Sequence, residues 1–126
     1  MIQITLPWPS SDLHAHASGF RGSQWKKIRA TKEARQTAFI LAKKSMVESD
    51  WKAPERAYIA YRFYEPDHRQ RDQGNLIQMC KAFCDGIVDA GVIYGDHSSV
   101  LQIVGCVSDW SDKKNPRVVI TLNEAP

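Results

Sequence analysis

The sequence predicts a mixed α/β (α+β) fold: a single small mixed sheet of about four strands with two helices packed on it, in the order β-α-β-α-β-β. Three observations support this prediction. Short β-branched or alternating runs flank two helix-forming stretches, and turn-forming residues separate them. The length of 126 residues fits one domain, residues 1–126. The 43% hydrophobic and 25% charged residues exclude collagen-like and broadly disordered chains.

The first half of the chain predicts a strand, a loop and a helix. Residues 1–6 alternate and include β-branched side chains, and the prolines of Pro7–Pro9 end this strand. Residues 10–30 contain several serines and glycines and are expected to form an irregular loop. Thr31 is suited to cap a helix that runs to about Ser49.

The second half predicts a strand, a helix and two further strands. Residues 56–65 are rich in aromatic side chains and predict a strand. Residues 75–90 place their apolar side chains on one broad helical face and their polar side chains on a compact opposite face, and Gly91 ends this helix. Residues 98–107 and 117–123 then predict two strands, which we expect to form a hairpin.

Charge is distributed unevenly along the chain. Residues 21–44 contain eight basic residues and one acidic residue, whereas the remainder is acidic. A basic segment of this kind is typical of a surface that binds a polyanion, although a solvated lysine-rich helix has the same composition. The three cysteines and the lack of a long apolar run predict a cytoplasmic protein with free thiols and no membrane association.

Two patterns resemble metal-ligand spacings. His14 and His16 form a His-x-His pair, but no third ligand is near them in the sequence, so this indication is weak. Cys80 and Cys84 lie on the apolar face of the second predicted helix, and no second cysteine pair exists. We therefore expect buried thiols there rather than a zinc site.

Acidic residues and a lysine cluster around the second predicted helix. Asp72 precedes it, Lys81 and Asp85 lie four residues apart on its polar face, and Asp96 follows its end. Carboxylates from separate loops, together with a lysine, suit a Mg²⁺ ion and a phosphodiester. A simpler interpretation is also open, in which Lys81–Asp85 is an exposed helix pair and Asp72 interacts with the helix dipole.

Two stretches of the chain resemble the RusA family of Holliday-junction resolvases: LPWPSS (Leu6–Ser11) and PDHRQRDQGNLIQMCKAFCDGIVDAGVIYGD (Pro66–Asp96). The family pattern has Leu-Pro-x-Pro-Pro-Ser, then Arg-Arg-Asp-x-Asp-Asn, a helical lysine, Asp-Ala-Leu, Ala-Gly-Val and a final Asp-Asp. The residues of this chain that match it are Arg71, Asp72, Asn75, Lys81, Asp85, Ala90, Gly91, Val92 and Asp96. Gln78 stands at the lysine position of a second branch of the family.

The resemblance implies a Mg²⁺-dependent endonuclease that acts as a homodimer, with each subunit nicking one strand of a four-way DNA junction in recombination and repair. Asp72 and Asp96 would bind the metal, and Lys81 would contact the scissile phosphate or the leaving oxygen. A two-fold dimer matches a nearly two-fold junction. Contacts to DNA are expected from six basic or amide side chains: Lys26, Lys27, Arg29, Arg69, Arg71 and Asn75.

The chain departs from the family pattern mainly at Gly74 and more mildly at Gly95, which stands in place of the first Asp of the final pair. Gly74 stands where the family has its second carboxylate. Because Mg²⁺ uses few protein oxygens, the loss of one weakens the predicted site. Three alternatives are open: Asp67 or Asp85 replaces it, water fills the gap, or the protein binds junctions without cutting them. A domain that binds RNA or single strands is a further alternative, based on the basic charge and the aromatic residues.

Overall fold

The computed structural model describes residues 1–13 and 21–126, with side chains at 1–13 and 24–126. Its elements are β1 (Ile2–Pro7), a 3₁₀ turn (Ser11–Leu13), α1 (Arg21–Ser49), β2 (Ala57–Tyr64), α2 (Gln73–Met79), α3 (Lys81–Asp89), β3 (Leu101–Asp109) and β4 (Arg117–Glu124). They confirm the predicted mixed fold with one four-stranded sheet. Within these residues, no helix is both long enough and apolar enough to cross a membrane.

The four strands form a mixed sheet in the order β1-β4-β2-β3. β4 runs antiparallel to both of its neighbours, whereas β2 and β3 are parallel. The predicted hairpin is therefore wrong, because β2 lies between β3 and β4. The chain crosses from β2 to the parallel β3 through α2 and α3, as parallel neighbours require.

The two faces of the sheet differ in burial, because buried side chains alternate with exposed or half-buried ones along β1, β2 and β4. The buried face uses alternate positions of three strands, as a period of two requires: Ile2, Ile4, Leu6, Ala57, Ile59, Tyr61, Phe63, Val118, Ile120 and Leu122. Small side chains of α1 approach α3 closely, and the buried ones are Ala30, Ala34, Ala38 and Ala42. Burial of each large apolar side chain contributes about 2 kcal/mol.

Helix α1 begins ten residues before the predicted start. Thr31 does not cap it but lies inside it, and its hydroxyl donates to the carbonyl oxygen of Lys27 (2.7 Å). The prediction of a loop is therefore wrong for residues 21–30. Their helix propensity is weak, but packing of the helix in the folded protein outweighs it. The rest of that loop prediction, with His14 and His16, falls on residues 14–20, outside the described part. The predicted end at Ser49 is confirmed, and Asp50 follows in the left-handed region (φ 53°).

The second predicted helix is divided into α2 and α3 at Cys80, whose φ of −89° and ψ of 3° interrupt the regular helix. Gly91 follows α3 with a φ of +86°, which confirms the predicted end. Cys80 and Cys84 are buried free thiols, as predicted. Burial raises the pKa of Cys84 to about 11, so this thiol stays protonated at neutral pH.

Candidate active site

Two carboxylates converge on one ammonium group at the start of α3. Lys81 is the first residue of α3, and Asp85 lies one turn later, so its carboxylate accepts a hydrogen bond from Lys81 Nζ (2.6 Å). The loop after α3 turns back along the helix and brings Asp96 Oδ2 into contact with the same Nζ. The side chains are 61%, 29% and 38% exposed for Lys81, Asp85 and Asp96, so a ligand in solvent can reach all three.

Mutual pairing fixes the charge of this cluster. Hydrogen bonds to Asp85 and then to Asp96 raise the pKa of Lys81 far above its ordinary value. The hydrogen bond from Lys81 lowers the pKa of Asp96. At neutral pH the lysine is therefore a cation, and it can stabilise negative charge but cannot act as a general base.

Asp72 lies at the other end of the helical segment and caps α2. Its Oδ1 accepts hydrogen bonds from the backbone N–H groups of Gly74 (2.7 Å) and Asn75 (3.4 Å). It lines a pocket of ≈ 400 Å³ together with Arg69 and Asn75. Nine residues of largely helical chain separate it from Lys81, which corresponds to about 13 Å. The hydrogen bonds of Asp72 are made to the backbone at the start of α2, and the metal site that Asp72 is expected to share with Asp96 stays a prediction.

Asp85 and Asp96 form the carboxylate pair that fits a divalent cation. Because both accept hydrogen bonds from one nitrogen, their bonded oxygens lie at most about 6 Å apart. Mg²⁺ commonly takes one or two carboxylates and completes its shell with water and phosphate oxygens. Among the described residues no group of three or more His, Cys, Asp or Glu is placed to hold a metal ion. Asp85 and Asp96 share the contact with Lys81, and the role of Asp85 as a substitute for the carboxylate missing at Gly74 stays a prediction.

The carboxylate of Asp67, the other predicted substitute, contacts residues of its own loop. Its carboxylate accepts a hydrogen bond from the backbone N–H of Arg69 (2.9 Å) and forms an ion pair with Arg71 (3.0 Å). These contacts, the one from Arg69 first, lower its pKa. Asp67 therefore shapes the loop that precedes α2, and its role as a substitute for the carboxylate missing at Gly74 stays a prediction.

The sequence analysis missed Glu65, a buried carboxylate that orders this loop. Its side chain is only 2% exposed and pairs with Arg71 Nη1 (3.0 Å), which is itself mostly buried. The guanidinium of Arg71 also lies 5.5 Å from the centre of the Trp8 ring. A signal was present, because the two-residue period of β2 that buries Phe63 continues to Glu65. A charge on the core face needs a nearby partner.

Side chains of α1 and of the loop before α2 extend the site into a longer groove, which we call the α2–α3 groove. A small pocket of ≈ 200 Å³ places Lys27 beside Met79, Lys81 and Asp85. Met79 also lines the pocket of Asp72, Arg69 and Asn75, and Lys81 also lines the pocket of Asp96 and Gln78. Three adjoining pockets thus connect the predicted DNA contacts to the cluster. Lys26 and Arg29 are exposed on α1.

Comparison with known proteins adds little to this geometry. No family model matches the sequence. A 95-residue stretch is 32% identical to an uncharacterized protein of Xylella fastidiosa (strain Temecula1) and covers 71% of this chain. It covers 58% of that protein, so this chain spans somewhat more than half the length of the relative it matches. The name of that relative assigns no activity, and the case for a function therefore depends on the residues themselves.

Proposed function

We propose that this protein is a Mg²⁺-dependent, structure-selective endodeoxyribonuclease of the cytoplasm that resolves four-way DNA junctions, as a homodimer, by paired nicks. The observation that supports it most is the position of Lys81 between Asp85 and Asp96. All three lie in the stretch that resembles the RusA family. Their partial exposure leaves room for a phosphodiester beside them.

The residues present fit a divalent cation, which Asp85 and Asp96 would hold and which would supply Lewis-acid polarisation of a phosphate oxygen. With Asp85 and Asp96 holding a cation, the ammonium group of Lys81 would no longer be paired with them. It would then contact the scissile phosphate or the leaving oxygen and stabilise the negative charge that develops. The protein supplies position and charge, with no covalent step.

The α2–α3 groove supplies the contacts that hold a DNA arm against this cluster. Lys27 and Arg69 provide charge to the backbone phosphates at two points along it, and Asn75 provides an amide. Lys26 and Arg29 extend the positive surface along α1. Phosphate contacts of this kind fix position and register, while the shape of the junction provides selectivity.

A synthetic four-way junction with labelled strands tests the proposal. Wild-type protein with Mg²⁺ is expected to nick two opposed strands symmetrically. Asp96→Asn, Asp85→Asn and Lys81→Ala are expected to retain junction binding and to lower the nicking rate by about 100-fold or more. Lys113→Ala, in the loop before β4, is the matched control and should nick at the wild-type rate. Wild-type nicking rates in all three site variants would overturn the proposal.

Asp72→Asn tests the role that the resemblance gives to Asp72. Asparagine caps a helix about as well as aspartate does, so this variant retains the fold of α2 while removing a charge. Loss of nicking with retained binding would show that the carboxylate itself takes part. Nicking at the wild-type rate would limit Asp72 to its capping role.

Gly74 supports a second candidate function, a module that binds junctions without cutting them. A carboxylate restored by Gly74→Asp would lie beside Asp72, because a Cβ placed at residue 74 would be 3.1 Å from Asp72 Oδ1. If the wild type binds junctions but does not nick them, and Gly74→Asp nicks them, the non-catalytic function is correct for the natural chain. Gly74→Asn is the uncharged control and should gain nothing. Nicking by the wild type excludes this candidate.

A further inference from the structure

Two flat side chains lie stacked on the surface where β3 ends. The ring centres of His68 and Trp110 are 5.8 Å apart, and the ring planes differ by 28°. His68 is exposed, and 42% of Trp110 remains exposed although its ring stacks with the imidazole. Neither ring belongs to the cluster around Lys81. A stacked pair with this much aromatic surface in solvent can accept a further flat ring.

Two short turns hold these rings in position. In each turn, the carboxylate before the ring accepts a hydrogen bond from the backbone N–H after it: Asp67 from Arg69 (2.9 Å) and Asp109 from Ser111 (2.8 Å). The backbone N–H of Glu65 donates to the carbonyl oxygen of Asp109 (2.9 Å), which joins the two loops at their base. The rings are therefore largely in place before a ligand binds, and less conformational entropy is lost on binding.

A pocket of ≈ 530 Å³ adjoins the stacked pair. Sites for small ligands have volumes of about 300–1,000 Å³, so this pocket has room for one nucleotide. Its uncharged polar lining consists of Gln70, Gln73 and Ser108, whose amide and hydroxyl groups can donate to or accept from the edge of a base. Arg69 also lines the pocket and supplies a guanidinium for a phosphate.

Two carboxylates line the same pocket, and each of them has a partner. Glu65 is paired with Arg71 (3.0 Å). Asp72 accepts hydrogen bonds from backbone N–H groups at the start of α2 (2.7 and 3.4 Å). The pocket is therefore not strongly anionic, and the exposed Arg69 can attract a phosphate to it.

We propose that His68 and Trp110 form a platform on which one unpaired base of DNA stacks, while Arg69 contacts a neighbouring phosphate. The pocket offers flat rings, hydrogen-bonding groups and a guanidinium, which match the face, the edge and the phosphate of a nucleotide. Every base has a flat π face, so such a platform holds a base without selecting its identity.

The platform adjoins the α2–α3 groove. Arg69, Arg71 and Asp72 line both its pocket and the pocket of that groove that contains Asn75. A DNA strand that follows the groove can therefore turn one base onto the platform. Extrusion of a base costs least where its pairing is already weak, as at the crossover of a four-way junction. The inference rests on the proposed function for this choice of DNA, and it deepens that function by naming where an unpaired base is held.

Binding to two oligonucleotides tests the platform without nicking. One is oligothymidylate, and the other has the same length and phosphates but only abasic sites. Both affinities are measured by fluorescence anisotropy in EDTA at one salt concentration. The wild type is expected to bind oligothymidylate about ten-fold more tightly, because stacking of a base on an aromatic side chain contributes about that much. Trp110→Leu should remove most of this preference, whereas Trp110→Phe keeps a ring and should retain it.

Phe39→Leu is the matched control, because it removes a partly exposed ring of α1 that lies outside the platform. It should keep the full preference for oligothymidylate. Circular dichroism confirms that each variant is folded. A wild type without the preference, or Trp110→Leu protein with the preference of the wild type, would overturn the inference.

Photochemical crosslinking tests the contact on a four-way junction. Single thymines at the crossover are replaced by 5-iodouracil. Irradiation breaks the carbon–iodine bond, and C5 joins a ring stacked on the base with loss of hydrogen iodide. We expect a crosslink at Trp110, mapped by mass spectrometry. Crosslinks at other residues only would contradict the platform.

Neither measurement requires cleavage, so the two proposals fail separately. A protein that stacks a base but does not nick junctions would overturn only the nuclease. A protein that nicks junctions, but whose Trp110→Leu variant binds both oligonucleotides as the wild type does, would overturn only the platform.

Discussion

At the scale of single residues, Glu65 and Arg71 form the most buried ion pair among the described residues. Glu65 is 2% exposed and depends on Arg71 for its partner. Removing one member of a buried pair leaves the other charge uncompensated, which costs about 3–5 kcal/mol. We therefore expect Arg71→Leu to lower the free energy of unfolding by about 3 kcal/mol, measured by urea denaturation.

Arg62→Leu is the matched control for that variant. Arg62 pairs with Asp109 at 3.2 Å, but its side chain is 48% exposed. Exposed pairs contribute about 0–1 kcal/mol, so this change should alter stability by no more than that. Equal losses in the two variants would show that Glu65 does not need Arg71.

The pKa of Asp96 predicts how the cluster responds to acid. Lys81 lowers this pKa in the folded protein, so the unfolded chain binds the proton more readily. The contribution of Asp96 to stability is therefore complete above the unfolded value of about 3.9 and is lost as pH falls through the lower folded value. We expect Asp96→Asn to lose stability less steeply than the wild type below about pH 5.

Thermal unfolding midpoints measured from pH 7 down to pH 2 check this expectation. Lys81→Met provides an independent comparison, because it removes the partner that lowers the pKa of Asp96. It should flatten the same part of the curve. Parallel curves for the wild type and both variants would show that the Lys81–Asp96 contact does not persist in solution.

The sequence predicted part of this cluster at the level of residues. Lys81 and Asp85 are four residues apart on a helix, and that spacing alone makes them neighbours. Asp96 required a loop that folds back along α3, which no local pattern reports. Asp72 looked equivalent to Asp96 because both flank the helical stretch. About 13 Å of helical rise lies between Asp72 and Lys81, and a metal site shared by Asp72 and Asp96 stays a prediction.

At the scale of elements, the contact between α1 and α3 depends on one glycine. A Cβ at Gly86 would lie 2.2 Å from the carbonyl oxygen of Arg35 and 2.8 Å from Ala38 Cβ. Alanine favours a helix by about 1 kcal/mol over glycine, but overpacking costs about 1–3 kcal/mol and more where backbone must move. The clash is against backbone, so we expect Gly86→Ala to destabilise the protein by about 2 kcal/mol.

Chemical denaturation of Gly86→Ala beside Gly105→Ala measures this effect. At Gly105 of β3 the nearest atom to an added Cβ is Ala60 Cβ, at 3.5 Å, which is ordinary contact. Stability there should change by less than about 1 kcal/mol. A Gly86→Ala protein as stable as the wild type would show that the two helices separate without cost.

The bounds of the strands and helices were easier to predict than the order of the strands in the sheet. Strands β2 and β4 follow a two-residue period that marks which face is buried, and their predicted bounds are nearly those observed. The period does not identify which strand lies alongside, so β3 and β4 were wrongly paired. The start of α1 was missed for a related reason: residues 21–30 have weak helical signals, and burial of Ala30 against the core stabilises them only in the folded protein.

At the scale of the whole molecule, the basic residues of α1 have two different surroundings. One forms an ion pair that joins two helices, and others line the groove or face solvent. Arg35 forms a bidentate pair with Asp89 (2.5 and 2.8 Å) that ties α1 to α3, and this pairing raises the pKa of Arg35 and lowers that of Asp89. Lys27, in contrast, lines the α2–α3 groove beside Lys81. Of these basic residues of α1, Lys27 therefore reaches the groove whereas Arg35 joins two helices, and composition alone could not show this division.

The salt dependence of junction binding tests where that charge acts. Each phosphate contact contributes about 0.9 to the slope of log K against log salt concentration on duplex DNA. Changing Lys26 and Lys27 together to glutamine should therefore reduce the slope by about 2. The same change at Lys43 and Lys44, about 24 Å further along α1, is the control and should leave the slope unaltered.

Competition among junction, duplex and single-stranded DNA at one salt concentration completes the experiment. Equal slopes for both double variants would show that DNA does not reach the α2–α3 groove along α1, and preference for single strands would favour a different class of ligand.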